Sequence, residues 1–133
     1  MIEIAELDNH DLLAMIIAGV CHDFAHDGYN NAYHVNANTM RSIRYTDSVQ
    51  ENYHAAESFQ LLMKPDNNFL EALSREDVQS FKKRMIGTIL ATDMAKHAED
   101  LASFKRRIEL TGVKMEEANG SKFLDRTNGK TIF

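Results

Sequence analysis

The chain has 133 residues, of which 44% are hydrophobic and 26% charged, with a formal net charge of -5. That is enough for one globular domain and hardly for two, and the acidic balance excludes an overall basic footprint for nucleic acid or an anionic membrane. Cys21 is the one cysteine, so an intrachain disulfide is excluded and a reducing, cytoplasmic compartment is expected.

The opening Met1-Ile2-Glu3-Ile4-Ala5-Glu6 has no basic segment ahead of an apolar stretch, so a signal peptide is not expected. A first helix is predicted from a cap at Asp8 or Asn9 to about Asp23. Leu12, Leu13, Met15, Ile16, Ile17, Val20 and Cys21 make it apolar on nearly all sides, the pattern of a buried, central helix, with Cys21 a small buried hydrophobe. This apolar run is about 10 residues long, too short to span a bilayer. The helix ends in His22-Asp23-Phe24-Ala25-His26, followed by the turn-forming Asp27-Gly28-Tyr29-Asn30-Asn31.

A second helix is expected from Ala32 to Ser42 and a third from Ser48 to Met63, before Pro65 and Asn67-Asn68 break the chain. Ser74 with Asp77 reads as a capping box, aspartate standing for the usual glutamate. It opens a long helix in which Val78, Phe81, Met85, Ile89 and Leu90 recur at three- and four-residue spacing. The helical pattern runs on through Ala91-Thr92-Asp93-Met94 to about Leu110, where Thr111-Gly112 ends it. The polar tail from Lys114 to Phe133, with Asn119-Gly120 and Asn128-Gly129, reads as a loop. Lys82-Lys83-Arg84 and Lys105-Arg106-Arg107 read as solvated helix faces. A single proline and six scattered glycines complete an all-α pattern.

His22-Asp23 is the sharpest local signal for chemistry. Imidazole suits a borderline metal such as zinc, and a carboxylate suits magnesium or manganese. Taken alone, such a dipeptide is more often a helix-end cap beside a satisfied histidine. His26 lies one turn beyond His22, at the spacing of a helical metal pair or of a group supporting one. Glu51 and His54, three apart, can face one site and move the proton of a bound water, or they share an ordinary solvated face. Thr92, Asp93 and His97 interrupt an apolar helix and need partners. His10 and His34 read as surface residues. There is no P-loop, dinucleotide-binding glycine fingerprint, zinc-finger spacing or nucleophile elbow.

Order and spacing carry more than any single item. His22-Asp23-Phe24-Ala25-His26-Asp27-Gly28-Tyr29-Asn30-Asn31 resembles the HDxxHxGxxN signature of class I 3′,5′-cyclic nucleotide phosphodiesterases. Ser48-Val49-Gln50-Glu51-Asn52-Tyr53-His54 resembles their SVLENHH segment, and Leu90-Ala91-Thr92-Asp93-Met94-Ala95-Lys96-His97 their LATDMxxH segment. The resemblance covers roughly Leu7 to Leu110. It implies a multi-helix catalytic domain of the HD superfamily that hydrolyses cyclic AMP, cyclic GMP or both to the 5′-nucleotide at two divalent metals, zinc and magnesium or manganese. Carried over by position, His22 would bind the first metal and Asp23 would bridge both. His26, Glu51 and Thr92 would hold or orient metal-bound water, and Asn31 and Met94 would lie by the substrate.

The sequence departs from the pattern in places. Asp27 stands where the family has proline, Gln50 where it has leucine, and Tyr53 for the first histidine of its pair. The family's YND, counted back from Glu51, falls on Arg44, Tyr45 and Thr46; a shift of one residue matches Tyr45 and Asp47 instead, so that register stays open. The HNxxHA motif, with a metal-binding histidine and the histidine that protonates the leaving oxygen, is expected before Met1. The fourth metal ligand, an aspartate, and the base-clamping glutamine are expected beyond Phe133. Residues 1–133 would then be a partial catalytic domain with two of four protein ligands. Misplacing an ion by about 1 Å can cost about 100-fold in rate, and apolar surface left open invites self-association. A non-catalytic helical remnant, or a regulatory or interaction module, is the alternative; keeping His22, Asp23, His26 and Glu51 together argues against it.

Overall fold

The computed structural model describes residues 7–111, and every described element is helical. Helix α1 (Asn9–Cys21) begins at a capping box made by two aspartates: the Asp8 carboxylate accepts the Asp11 N–H at 2.7 Å, and the Asp11 carboxylate accepts the Asp8 N–H at 3.1 Å. Arg84, from a helix far along the chain, pairs with both carboxylates.

Two short helices follow, α2 (Asn31–Asn36) and α3 (Met40–Arg44), and then α4 (Val49–Leu62). The single helix expected from Ala32 to Ser42 is thus broken in two. Asn38 adopts φ 53°, a left-handed conformation that asparagine tolerates better than most residues, and Thr39 starts a new helix as its cap. The 3-10 turns Pro65–Asn67 and Phe69–Ala72 lead to α5 (Arg75–Leu90). Ser74 caps α5 by accepting the Asp77 N–H at 3.1 Å; its hydroxyl donates back to the Asp77 carboxylate at 2.7 Å.

The core lies where α1, α4 and α5 meet. Phe81, Met85 and Ile89, each four residues from the next, are fully buried together with Leu70, Ala14, Ala18 and Ala55. Alanines on α1 and α4 let the helix backbones approach closely. Each large side chain buried there contributes about 1.5–3 kcal/mol. Cys21 is half-buried against this cluster.

Two further expectations are corrected. Helix α1 is not covered on all sides: Ala14 and Ala18 are buried, whereas Ile16 is 64% exposed and Val20 79% exposed. The long helix also stops at Leu90, and α6 (His97–Thr111) begins after a tight turn. Asp93 makes that turn. Its Oδ1 accepts the Ala95 N–H at 2.9 Å, a local bond that competes with continued helix, while its Oδ2 accepts the Ser48 hydroxyl at 2.8 Å. Thr92, Asp93 and His97 therefore sit at a helix junction instead of inside a helix.

Of the basic clusters, Lys82 places its amine 4.7 Å from the Phe59 ring centroid, and Arg84 is paired as above. No described helix is long and apolar enough to cross a membrane. The tail predicted as a loop lies outside the described residues, as does Met1–Glu6.

Candidate active site

The end of α1 delivers the first candidates. Past Cys21 the chain continues in tight turns, with the Phe24 N–H on the Cys21 carbonyl and the His26 N–H on the Asp23 carbonyl. Ala25 at φ 60° and Gly28 at φ 87° then swing it back toward α4. The second of these suits glycine, which has no Cβ to resist a positive φ.

His22 donates from Nδ1 to the Gly19 carbonyl at 2.8 Å, which fixes the tautomer and leaves the lone pair on Nε2. That nitrogen faces Asp23 Oδ2 at 3.3 Å. Two acceptors so close repel unless a proton or a cation lies between them. The pair therefore fits as two donors to one ion, with the second-atom hydrogen bond that metal-binding histidines usually make. Among the described residues no group of three His, Cys, Asp or Glu side chains converges as a metal cage.

His26 has the opposite tautomer. Its Nδ1 accepts the Gly28 N–H at 2.8 Å, so neutral His26 carries its proton on Nε2. Its ring stacks on His54 with centroids 5.4 Å apart. His54 is 2% exposed and donates from Nδ1 to the Phe24 carbonyl at 2.6 Å. Burial pushes the His54 pKa below its ordinary value, against the raising effects of the Phe24 carbonyl, Asp23 and Glu51. Through its bond to Phe24, His54 ties the turn after α1 to α4.

One turn earlier on α4, Glu51 accepts from the Asn31 amide at 2.9 Å, and Asn31 Oδ1 accepts the Gln50 N–H at 2.7 Å. Thr92 reaches the site from the end of α5. It shares a shallow hollow of about 230 Å³ with Met15, Ala18, Gly19, His22 and Thr88, and its hydroxyl donates to the Ile89 carbonyl at 2.7 Å. His22, Asp23, His26, Asn31, Glu51 and Thr92 thus come from four segments to one end of the helix pair. Met94, two residues beyond Thr92, is 74% exposed. A larger groove of about 730 Å³ between α4 and α5 contains none of the candidates.

His34, read from sequence as a surface residue, is buried instead; it bonds Thr39 Oγ1 at 2.9 Å and faces Asp27 at 3.4 Å. The break between α2 and α3 brings Thr39 back over its ring. His10 is half-exposed. Sequence reasoning also missed Arg41 and the partners of Gln50; the departures at Asp27, Gln50 and Tyr53 were the available signal.

With the geometry in place, likeness to known proteins decides the class. The family model for 3′5′-cyclic nucleotide phosphodiesterase matches residues 3–129. The chain belongs to that family. It is 45% identical over 100 residues to the high affinity cGMP-specific 3′,5′-cyclic phosphodiesterase 9A of Mus musculus, covering 74% of this chain and 19% of the relative. It is 43% identical over 98 residues to the dual 3′,5′-cyclic-AMP and -GMP phosphodiesterase beta of Plasmodium falciparum, covering 73% of this chain and 9% of that one. Among solved structures, the phosphodiesterase domain of the RhoPDE fusion protein from Salpingoeca rosetta superposes with a TM-score of 0.76 at 32% identity, over 88% of this chain and 38% of that one. The chain therefore spans about a fifth or less of the curated relatives it matches.

Proposed function

We propose that this chain forms part of a catalytic domain that hydrolyses 3′,5′-cyclic nucleotides, cyclic AMP, cyclic GMP or both, to 5′-nucleotides. The observation that carries the proposal is the facing pair of acceptors, His22 Nε2 and Asp23 Oδ2, 3.3 Å apart at the end of α1. His22 and Asp23 would hold divalent metal, zinc on the imidazole side and magnesium or manganese shared through the carboxylate. Such ions supply the polarisation of a phosphoryl oxygen and a water acidic enough to attack.

The chain's own residues do the rest. His26, protonated on Nε2, donates to water or phosphate oxygen in front of it. Glu51, held by Asn31, accepts a proton from water and orients it. Thr92, whose hydroxyl proton is given to Ile89, keeps oxygen lone pairs for a water. Asn31 and Met94 would border the substrate. The remaining ligands would come from outside residues 1–133, which would serve as a partial domain. A cytoplasmic setting fits this substrate class.

The test is turnover in a chain extended to a complete domain. Asp23→Ala is expected to abolish hydrolysis of cyclic AMP and cyclic GMP with little loss of fold; retained turnover would sink the bridging role. Glu51→Gln should lower the rate less, and an unchanged rate removes Glu51 from the site. A second reading, a non-catalytic remnant or an interaction module, draws support from the exposed Ile16 and Val20. It takes the lead if the completed domain turns over neither nucleotide.

A further inference from the structure

Three positions at which the sequence departs from the family pattern, Asp27, Gln50 and Tyr53, meet in one polar cluster. The Gln50 amide donates to Asp27 Oδ1 at 3.0 Å and to the Tyr29 carbonyl at 2.6 Å, and its oxygen accepts from the Arg41 guanidinium. Arg41 also pairs with Asp27 Oδ2 at 3.3 Å and donates to the Ala25 carbonyl at 3.2 Å. Its guanidinium carbon lies 3.7 Å from the Tyr53 ring centroid. The buried His34 adds its Nε2 at 3.4 Å from Asp27.

The contacts fall at alternate residues of one segment: Ala25 through its carbonyl, Asp27 through its carboxylate, Tyr29 through its carbonyl and Asn31 through its side chain. This segment carries both His26 and Asn31. A proline at position 27 would fix φ without help from any partner. Asp27 lacks that constraint and adds a negative charge beside the site. The cluster answers both points: it clamps the backbone from α3 and α4, and Arg41 compensates the charge. Burial raises the Asp27 pKa, yet the Tyr29 N–H, Gln50, Arg41 and His34 outweigh it and hold the carboxyl below its ordinary value.

We propose that Asp27, Gln50 and Arg41 are positioning residues that act as one coupled set, clamping the Ala25–Asn31 segment in place of the family's proline and so fixing His26 and Asn31 in the site. Because Gln50 and Arg41 are used by the same carboxylate, loss of one devalues the other. The functional part rests on reading His26 and Asn31 as site residues. The coupling itself does not, and its test reads resonances instead of turnover, so failure of that reading, seen in Asp23→Ala, is separable.

The experiment is nitrogen-15 NMR of the 133-residue chain, following the His26 ring, the Asn31 side-chain amide and exchange at the Gly28 and Tyr29 amides. Asp27→Asn, at an exposed position, keeps the acceptor for Gln50 and removes the charge. It is expected to leave the melting temperature within about 2 °C, to shift the His26 and Asn31 signals, and to speed amide exchange about tenfold. Gln50→Leu should do the same more strongly. Joined to Asp27→Pro, which brings both positions to the family pattern, it should disturb these signals less than the two single changes summed. Additive effects in the double variant, or unmoved His26 and Asn31 signals in Asp27→Asn, overturn the proposal.

Discussion

While His22 is neutral, Asp23 is held in an arrangement that serves the fold poorly, its carboxylate oxygen facing the Nε2 lone pair at 3.3 Å. Asn in its place would turn an amide N–H toward Nε2 and convert repulsion into a hydrogen bond. Asp23→Asn is therefore expected to raise stability by about 0.5–1.5 kcal/mol in thermal or urea melts, while turnover in a complete domain is lost. A fall in stability would mean the carboxylate has a structural partner. His54 gives a pH signature. Its pKa is lowered in the fold from an ordinary value of 6.5, chiefly by burial, so the folded chain binds fewer protons than the unfolded one just below that pH. The stability it secures is present above about pH 6.5 and is lost as pH falls toward the lowered value. His54→Phe should flatten the dependence of urea midpoints on pH below 6.5; an unchanged slope would assign that dependence to other groups.

Among the elements, the junction between α5 and α6 governs how Thr92 is presented. Asp93, 5% exposed, stops the helix through the Ala95 N–H and ties the junction to the start of α4 through Ser48. Ser48 itself sits at φ 43°, a strained conformation for a residue with a Cβ, and its hydroxyl bond to Asp93 compensates. Asp93→Ala should leave both donors unpaired and cost about 1–3 kcal/mol. It should also speed amide exchange at Ala95 more than at Phe81 in the core. Equal protection at Ala95 in both proteins would show that the turn holds without its aspartate. The exposed Asp47–Lys96 pair alongside, 2.7 Å long, adds little in water.

For the molecule as a whole, the open side of α1 sets the behaviour. Ile16 and Val20, with Met94 at the next junction, leave large apolar groups in contact with solvent. The chain is expected to self-associate as concentration rises, and Ile16→Lys with Val20→Lys should shift its sedimentation toward the monomer. A sedimentation coefficient independent of concentration would remove that expectation. Among the described residues only His22 and Asp23 face each other as metal donors at the end of α1, so a metal held by that pair adds little to folding. Treatment with a chelator should move the melting temperature by no more than about 1–2 °C.

The all-helical class, the caps at Asp8 and Ser74, and the buried Phe81, Met85 and Ile89 were legible in the sequence, because capping and helical periodicity act over a few residues. The family was legible too, since motif order survives in a linear string. Other features depended on contacts between distant segments. The stop at Asp93 follows from a side chain that found a partner in a distant segment, Ser48, while the break at Asn38 is a left-handed backbone turn that carries Thr39 back onto the ring of the buried His34. The clamp of Asp27 by Gln50 and Arg41 is of the same kind: sequence marked Asp27 and Gln50 as unusual, and only the packing of α3 and α4 against the Ala25–Asn31 segment brought their charges and dipoles within bonding distance.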